Sequence, residues 1–128
     1  MSYGAYMQLY ERKSVRVKYH QEVRLETVGH LKLVVCTDNI SAGGLGINCD
    51  QVTAQAIMPS GYQLSPERPL LLLVELDLAD AKLQATCSVQ NNYRLAQDSF
   101  SFNLKFIRFE KDGQQQLENF MKQQNHDA

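Results

Sequence analysis

The chain has 128 residues and a mass of 14.6 kDa, which is the size of one domain. Hydrophobic residues make up 44% and charged residues 21%, a balance that excludes a disordered tail, a coiled coil and a collagen-like fibre. With 13 basic and 14 acidic residues, the formal net charge is -1. A protein that coats DNA or RNA normally carries a basic excess, so any anion bound here should be small and held by a few local positive charges.

The N-terminal residues show neither the basic flank nor the long apolar stretch of a secretory signal. The longest purely apolar run, residues 70–74, is far shorter than the ~20 residues that span a bilayer. The cysteines and histidines are scattered, so we expect no metal site and no disulfide framework. These features predict a cytoplasmic protein with reduced thiols on strands and no membrane insertion.

Alternation of apolar and polar residues at period two dominates the sequence and predicts about six half-buried antiparallel strands. The apolar faces are Val15, Val17, Tyr19, Val23 and Leu25; Leu31, Leu33 and Val35; Leu45, Ile47 and Cys49; residues 70–78; Leu83, Ala85, Cys87 and Val89; and Phe100, Phe102, Leu104 and Phe106. Six one-sided strands in a short chain favour a closed or nearly closed barrel, because closure removes exposed edges. The predicted fold class is therefore all-β.

Helical spacing replaces this alternation at the C-terminus. Leu117, Phe120 and Met121 recur at i, i+3 and i+4, and Asp112 is a suitable N-cap, which predicts a helix over about 114–124 that caps the barrel. Proline and glycine between positions 59 and 69 predict a looped connection between the third and fourth strands. We expect one domain over 1–128, with an N-terminal segment at 1–16, the barrel at 17–109 and the helix at 112–125.

Recognisable catalytic patterns are absent from the sequence. There is no G-x-S-x-G elbow, no H-E-x-x-H and no carboxylate or histidine cluster with metal spacing. The glycine-rich run at 43–46 lacks the lysine of a P-loop. The sequence therefore predicts no catalytic residue, no cofactor and no enzyme.

Two short motifs carry the chemistry that remains. Arg12 and Arg16 form an R-x-x-x-R, in which two planar guanidinium groups suit phosphate oxygens or the O6/N7 edge of guanine. Asn39, Ser41 and Gly44 form an N-x-S-x-x-G: the first two side chains can hydrogen-bond a base edge, and the glycine permits a positive φ and close backbone approach. Either motif alone also fits an ordinary solvated strand start or turn. Together, in this order, they indicate a ligand site.

This combination of motifs and elements resembles the PilZ domains, bacterial receptors for cyclic di-GMP, over residues 11–121. The resemblance implies a six-stranded antiparallel barrel with a C-terminal helix, and a mobile N-terminal stretch that folds over the ligand. It implies that Arg12 and Arg16 engage guanine edges and phosphates. It also implies that Asn39 and Ser41 hydrogen-bond a guanine and that Gly44 keeps the turn open.

Four further residues bear on the resemblance to PilZ domains. Lys13 is a further candidate for ligand contact, and Asp38 is either a contact to the N1 and N2 donors of guanine or a turn residue. Glu11 stands where many PilZ domains carry another arginine, which leaves open whether one nucleotide or an intercalated pair binds. Asn103 stands where a glycine often begins the core stretch of the last strand, and we expect it to affect local packing only.

The leading functional hypothesis is a non-enzymatic cyclic di-GMP receptor that orders its arginine segment on binding and relays the signal to a downstream effector protein. The alternative is a PilZ-like interaction module that no longer binds nucleotide, which Glu11 and the tyrosine-rich N-terminus favour. That N-terminus could equally dock on the chain's own core. A third class, a binder of single-stranded nucleic acid, needs exposed aromatic residues, whereas Phe100, Phe102 and Phe106 are predicted to be buried. The downstream process and the oligomeric state stay open.

Overall fold

The computed structural model describes residues 16–59 and 67–127, which form six strands and two helices. In chain order these are β1 (Val17–Thr27), β2 (Lys32–Ile40), β3 (Gly44–Cys49), α1 (Gln51–Ile57), β4 (Leu71–Leu78), β5 (Ala81–Ala96), β6 (Ser99–Phe109) and α2 (Gly113–Asp127). Arg12, Lys13 and the rest of the N-terminal segment up to residue 15 lie outside the described residues.

The six strands close into one antiparallel barrel in the order β1-β2-β3-β6-β5-β4, and β4 pairs back onto β1. Strand β1 pairs with β2 over almost its whole length but with β4 only from Val23 onwards, so its first half has one strand neighbour among the described residues. The predicted all-β class and the closed barrel with a C-terminal helix are confirmed. Closure gives each one-sided strand a shared interior in which to bury its apolar face.

The barrel interior holds most of the described apolar side chains that the alternation predicted, although Leu73 of β4 is 49% exposed. Its largest fully buried side chains include Leu25, Leu45, Ile47, Phe102 and Leu104. Leu31 departs from the prediction, because it precedes the start of β2 and is 48% exposed in the turn after β1.

Helix α1 was not predicted. Asp50 caps its N-terminus by accepting a hydrogen bond from the backbone N–H of Thr53 at 2.8 Å. Hydrogen bonding to the side chain of Thr53, and secondly to its backbone, lowers the pKa of the Asp50 carboxyl. The helix then buries Ala54 and Ile57. Seven residues are too few to show a helical period or to form a stable helix alone, so α1 depends on packing against the barrel. The expected loop between β3 and β4 therefore starts with a helix, and residues 60–66 lie outside the described part.

Helix α2 packs on the barrel through the predicted stripe. Leu117, Phe120 and Met121 are buried, and the helix starts directly after Asp112, whose carbonyl accepts from the N–H of Gln116 at 3.0 Å. The ring of Phe120 meets Tyr19 of β1 edge-on, with ring centroids 4.9 Å apart. This contact connects α2 to the first half of β1, which does not pair with β4.

The three cysteines lie on strands and are free thiols, as expected. Cys36 is exposed, whereas burial raises the pKa of Cys49 to about 11, with a smaller contribution from Asp50, and that of Cys87 to about 12.

Because the thiolate is the reactive form, we expect one rapidly modified thiol, Cys36, when the native protein reacts with a chromogenic disulfide reagent at pH 8. The other two should react only after denaturation. Reaction of all three cysteines at the same rate in the native protein would contradict this prediction.

Candidate ligand-binding site

A row of residues from four strands crosses the outer surface of the barrel at the end of β2. Asn39 of β2 is the register partner of Lys18 in β1 and of Gly46 in β3, and Gly46 pairs with Asn103 of β6. Directly opposed residues of antiparallel strands point to the same face. Asn39 therefore lies in the middle of a polar strip on the outside of the barrel.

A β-bulge brings Asp38 to the same face as Asn39. In the pairing of β2 with β3, Thr37 pairs with Ile47 and Asn39 with Gly46, so Asp38 is the extra residue. The buried Thr37 hydroxyl shares its one proton between the carbonyl oxygens of Gly46, at 2.6 Å, and Asn39, at 2.9 Å, and so holds the bulge together. Without the bulge, period-two alternation would place Asp38 and Asn39 on opposite faces.

Four polar side chains form a continuous hydrogen-bonded chain on this face. Nη1 of Arg16 donates to Oδ1 of Asn39 at 2.5 Å, and Nδ2 of Asn39 donates to Oδ1 of Asp38 at 2.7 Å. Nδ2 of Asn48, on β3, donates to Oδ2 of Asp38 at 3.1 Å. The second arginine of the R-x-x-x-R thus touches the asparagine of the other motif, 23 residues away along the chain.

Ser41 is part of the turn between β2 and β3. The residue is 3% exposed, and its hydroxyl oxygen accepts from the N–H groups of Gly43 and Gly44, both at 3.2 Å. Its own N–H donates to the carbonyl oxygen of Gly44 at 2.8 Å. The hydroxyl therefore closes the turn in this structure, and a contact between Ser41 and guanine stays a prediction.

Gly44 begins β3 and pairs with Lys105 of β6. Its φ is not in the left-handed region, because the residue is already part of the extended ladder. The close approach is real, because a Cβ at Gly44 would lie 1.9 Å from the carbonyl oxygen of Leu104. The glycine lets the backbone of β6 come close to the turn, and Phe106 donates from its N–H to the carbonyl of Gly43 at 2.9 Å.

Gly46 and Asn48 belong to the site and were not predicted. A Cβ at Gly46 would lie 2.8 Å from Nδ2 of Asn39, so the glycine makes the space in which the Asn39 amide lies. The signal was present in the run at 43–46, where Gly44 and Gly46 are two residues apart and so share a strand face. Asn48 continues that face, and only the bulge brings Asp38 within its reach.

Asn103 does more than fill a packing position. It is on the outer face opposite Gly46, and its Nδ2 donates to Oδ1 of Asn91 on β5 at 2.6 Å. The chain of side-chain amides thus extends the strip across two further strands, β6 and β5.

Positive side chains flank the strip. Lys18 is exposed and pairs with Asn39, and Lys105 is exposed and pairs with Gly44. With the exposed Arg16, these lysines put three cations around one small area, although the whole chain is nearly neutral. The sequence did not single out the lysines, because they come from β1 and β6 and meet the motif only through strand pairing.

A separate groove of about 670 Å³ lies toward the other end of β1 and β2. Its lining includes Arg24, Glu75 and Gln84, and none of the site residues. Glu75 accepts from Gln84 and from Arg24, both at 2.7 Å, and these hydrogen bonds lower the pKa of its carboxyl. Arg24, Glu75 and Gln84 thus form a hydrogen-bonded cluster within the groove.

Within residues 16–59 and 67–127, no group of His, Cys, Asp or Glu side chains is arranged to hold a metal ion. Neither described helix is long and apolar enough to cross a bilayer.

Solved structures share this fold. The inhibitor of motility MotI/DgrA of Bacillus subtilis superposes with a TM-score of 0.66 at 15% identity, over 89% of this chain and 51% of that one. MrkH of K. pneumonia, solved as a complex with c-di-GMP, gives a TM-score of 0.66 at 14% identity, over 89% and 52%. The PilZ domain of CeSA from a cellulose-synthesizing bacterium gives 0.54 at 10% identity, over 88% and 99%.

This chain spans about half the length of MotI and of MrkH, and nearly all of the CeSA PilZ domain. At these low sequence identities, the structural similarity establishes a common fold. No curated protein matches the chain by sequence. The profile of the PilZ domain, however, matches residues 10–123, which include both motifs, the barrel and most of α2. The chain belongs to the PilZ domain family.

Proposed function

We propose that this protein is a receptor for cyclic di-GMP and not an enzyme, and that the ligand binds on the outer face around Asn39. The observation that carries the proposal is the hydrogen bond between Arg16 and Asn39, because it unites the two motifs in one place. Membership of the PilZ family supports it, as does the structural similarity to MrkH in its complex with c-di-GMP.

The chemistry of the face suits a cyclic dinucleotide. Its two phosphates each carry a negative charge, and Arg16, Lys18 and Lys105 supply positive charge without forming a broad basic surface. The amides of Asn39 and Asn103 can hydrogen-bond base edges. Because Gly46 has no side chain, the Asn39 amide can lie directly against β3.

Ordering of the N-terminal segment is part of the proposal. Each charge-assisted arginine contact contributes about 1.5–3 kcal/mol. Fixing five backbone residues, 12–16, costs about 1–2 kcal/mol per residue. Two arginines alone do not offset that cost, so base burial and contacts to the preformed barrel must contribute. The existing contact of Arg16 with Asn39 lowers the cost, because one end of the segment is already placed.

We propose that residues 1–16 act as the mobile part of a single domain, and that Arg12 and Lys13 join the ligand when the segment folds over it. The ordered segment would then present a new surface to a downstream effector protein.

Calorimetric titration of the purified protein with cyclic di-GMP tests the receptor function. We expect saturable binding in the micromolar range, with a stoichiometry that reports one nucleotide or an intercalated pair per chain. Lack of binding at tens of micromolar would overturn the proposal and favour the nucleotide-independent interaction module. Chromatography of the ligand after incubation should show it intact, and turnover would contradict the non-enzymatic assignment.

A further inference from the structure

We propose that Asp38 and Asn48 set the selectivity of the site for guanine by holding the side-chain amide of Asn39 in one orientation. The inference rests on the proposed function and deepens it, because it names residues that discriminate guanine from adenine. In this view Asp38 is a positioning residue and does not itself contact the base.

The two hydrogen-bond partners of Asn39 determine which way its side-chain amide faces. An amide side chain can be rotated by half a turn, which exchanges its acceptor Oδ1 with its donor Nδ2. An ionised Asp38 only accepts hydrogen bonds, so it selects Nδ2, at 2.7 Å. Arg16 only donates, so it selects Oδ1. The two neighbours have opposite requirements, and both are met by the same orientation.

Asn48 holds the carboxylate of Asp38 in place. Its Oδ2 accepts from Nδ2 of Asn48 at 3.1 Å, so each oxygen of the carboxylate is bound to a different amide. The Oδ1 of Asn48 is buried and has no hydrogen-bond partner among the described residues. The opposite orientation of Asn48 would direct that oxygen at a carboxylate oxygen, which is repulsive. Asn48 therefore anchors Asp38 from β3, and both oxygens of the carboxylate are already directed at side-chain amides.

Guanine and adenine differ in the hydrogen-bonding groups that they present to Asn39. The Watson–Crick edge of guanine carries the donors N1–H and N2–H₂, whereas the N1 of adenine is an acceptor. With Nδ2 held by Asp38, Asn39 offers Oδ1 to the ligand, and a carbonyl oxygen has two lone pairs, so it can accept from a base as well as from Arg16. An acceptor at this point attracts guanine and repels the N1 of adenine.

Two substitutions test the inference, with the affinities for cyclic di-GMP and cyclic di-AMP measured by calorimetry on the full chain. Asp38→Asn keeps the shape of the side chain but can donate as well as accept, so it no longer dictates the orientation of Asn39. We expect the ratio of the two affinities to fall roughly tenfold or more, mainly through weaker binding of cyclic di-GMP. Asn48→Ala should lower the ratio by a smaller factor, because Asp38 is then present but not anchored.

Asp80→Asn is the matched control, since it makes the same change at an exposed turn residue between β4 and β5 and should leave the ratio unchanged. Thermal unfolding of each variant shows whether the barrel is intact, and a merely structural role would not alter base selectivity. Failure of the wild-type chain to bind cyclic di-GMP would overturn the proposed function. Binding by the wild type with an unchanged ratio in Asp38→Asn would overturn only the role of Asp38 and Asn48.

Discussion

Replacing Gly44 with alanine is expected to destabilise the barrel by about 3 kcal/mol or more, a large part of the ~5–15 kcal/mol that a domain of this kind has. The added Cβ would lie 1.9 Å from the carbonyl oxygen of Leu104 and 3.2 Å from Cα of Lys105. Both atoms are backbone, so no side chain can move to make room. Strand β6 would have to move away from β3, and their hydrogen-bonded register would be disturbed. Chemical denaturation measures the loss directly.

Gly29→Ala is the matched control for this substitution. It lies in the turn between β1 and β2, and the nearest atom to an added Cβ is the Oγ1 of Thr27 at 3.9 Å, an ordinary contact. We expect a change within about 0.5 kcal/mol. If Gly44→Ala were as stable as Gly29→Ala, the requirement for close contact between β3 and β6 would be wrong.

Replacing Arg16 with alanine is expected to weaken the binding of cyclic di-GMP by about tenfold to a hundredfold. The guanidinium supplies a charge-assisted contact worth about 1.5–3 kcal/mol, and its loss also removes the contact that places the end of the N-terminal segment on Asn39. The residue is exposed and precedes β1, so the stability of the fold should change by no more than about 0.5 kcal/mol. Titration and thermal unfolding of the same sample separate the two effects.

Arg108→Ala is the control for the loss of one positive charge. Arg108 is exposed on β6 and its one described ion pair, with Glu110, is 3.8 Å long, so the substitution removes the same charge outside the site. Binding should be close to that of the wild type. Equal weakening by both substitutions would indicate that net charge, and not the position of Arg16, governs affinity. A large loss of stability in Arg16→Ala would indicate a structural role.

The all-β class and the strand count followed from the sequence because period-two alternation is a local property. Each strand places every second residue on one face, so Phe102 and Leu104 can be assigned to the interior without knowledge of their neighbours. The stripe of Leu117, Phe120 and Met121 is equally local, and it identified α2. Helix α1 was missed because its seven residues show no full period and its stability comes from burial of Ala54 and Ile57.

The candidate site was predictable only in part. The two motifs named Arg16 and Asn39, the residue beside the second motif is Asp38, and the structure brings these three side chains together. The arginine and asparagine motifs are recognisable because their residue types suit phosphate and base edges. The assignments of Arg12 and Lys13 lie outside the described residues and stay predictions.

The sequence by itself determined the one-sided strands, the amphipathic C-terminal helix and the two motifs, since each of these depends on residues close together along the chain. The tertiary structure alone decided which distant residues meet. The bulge at Asp38 re-aims that carboxylate toward Asn48, and strand pairing brings Lys18 and Lys105 to the motif. Register is a relation between strands, and the free energy that selects it comes from the common core, so no single stretch of sequence contains it.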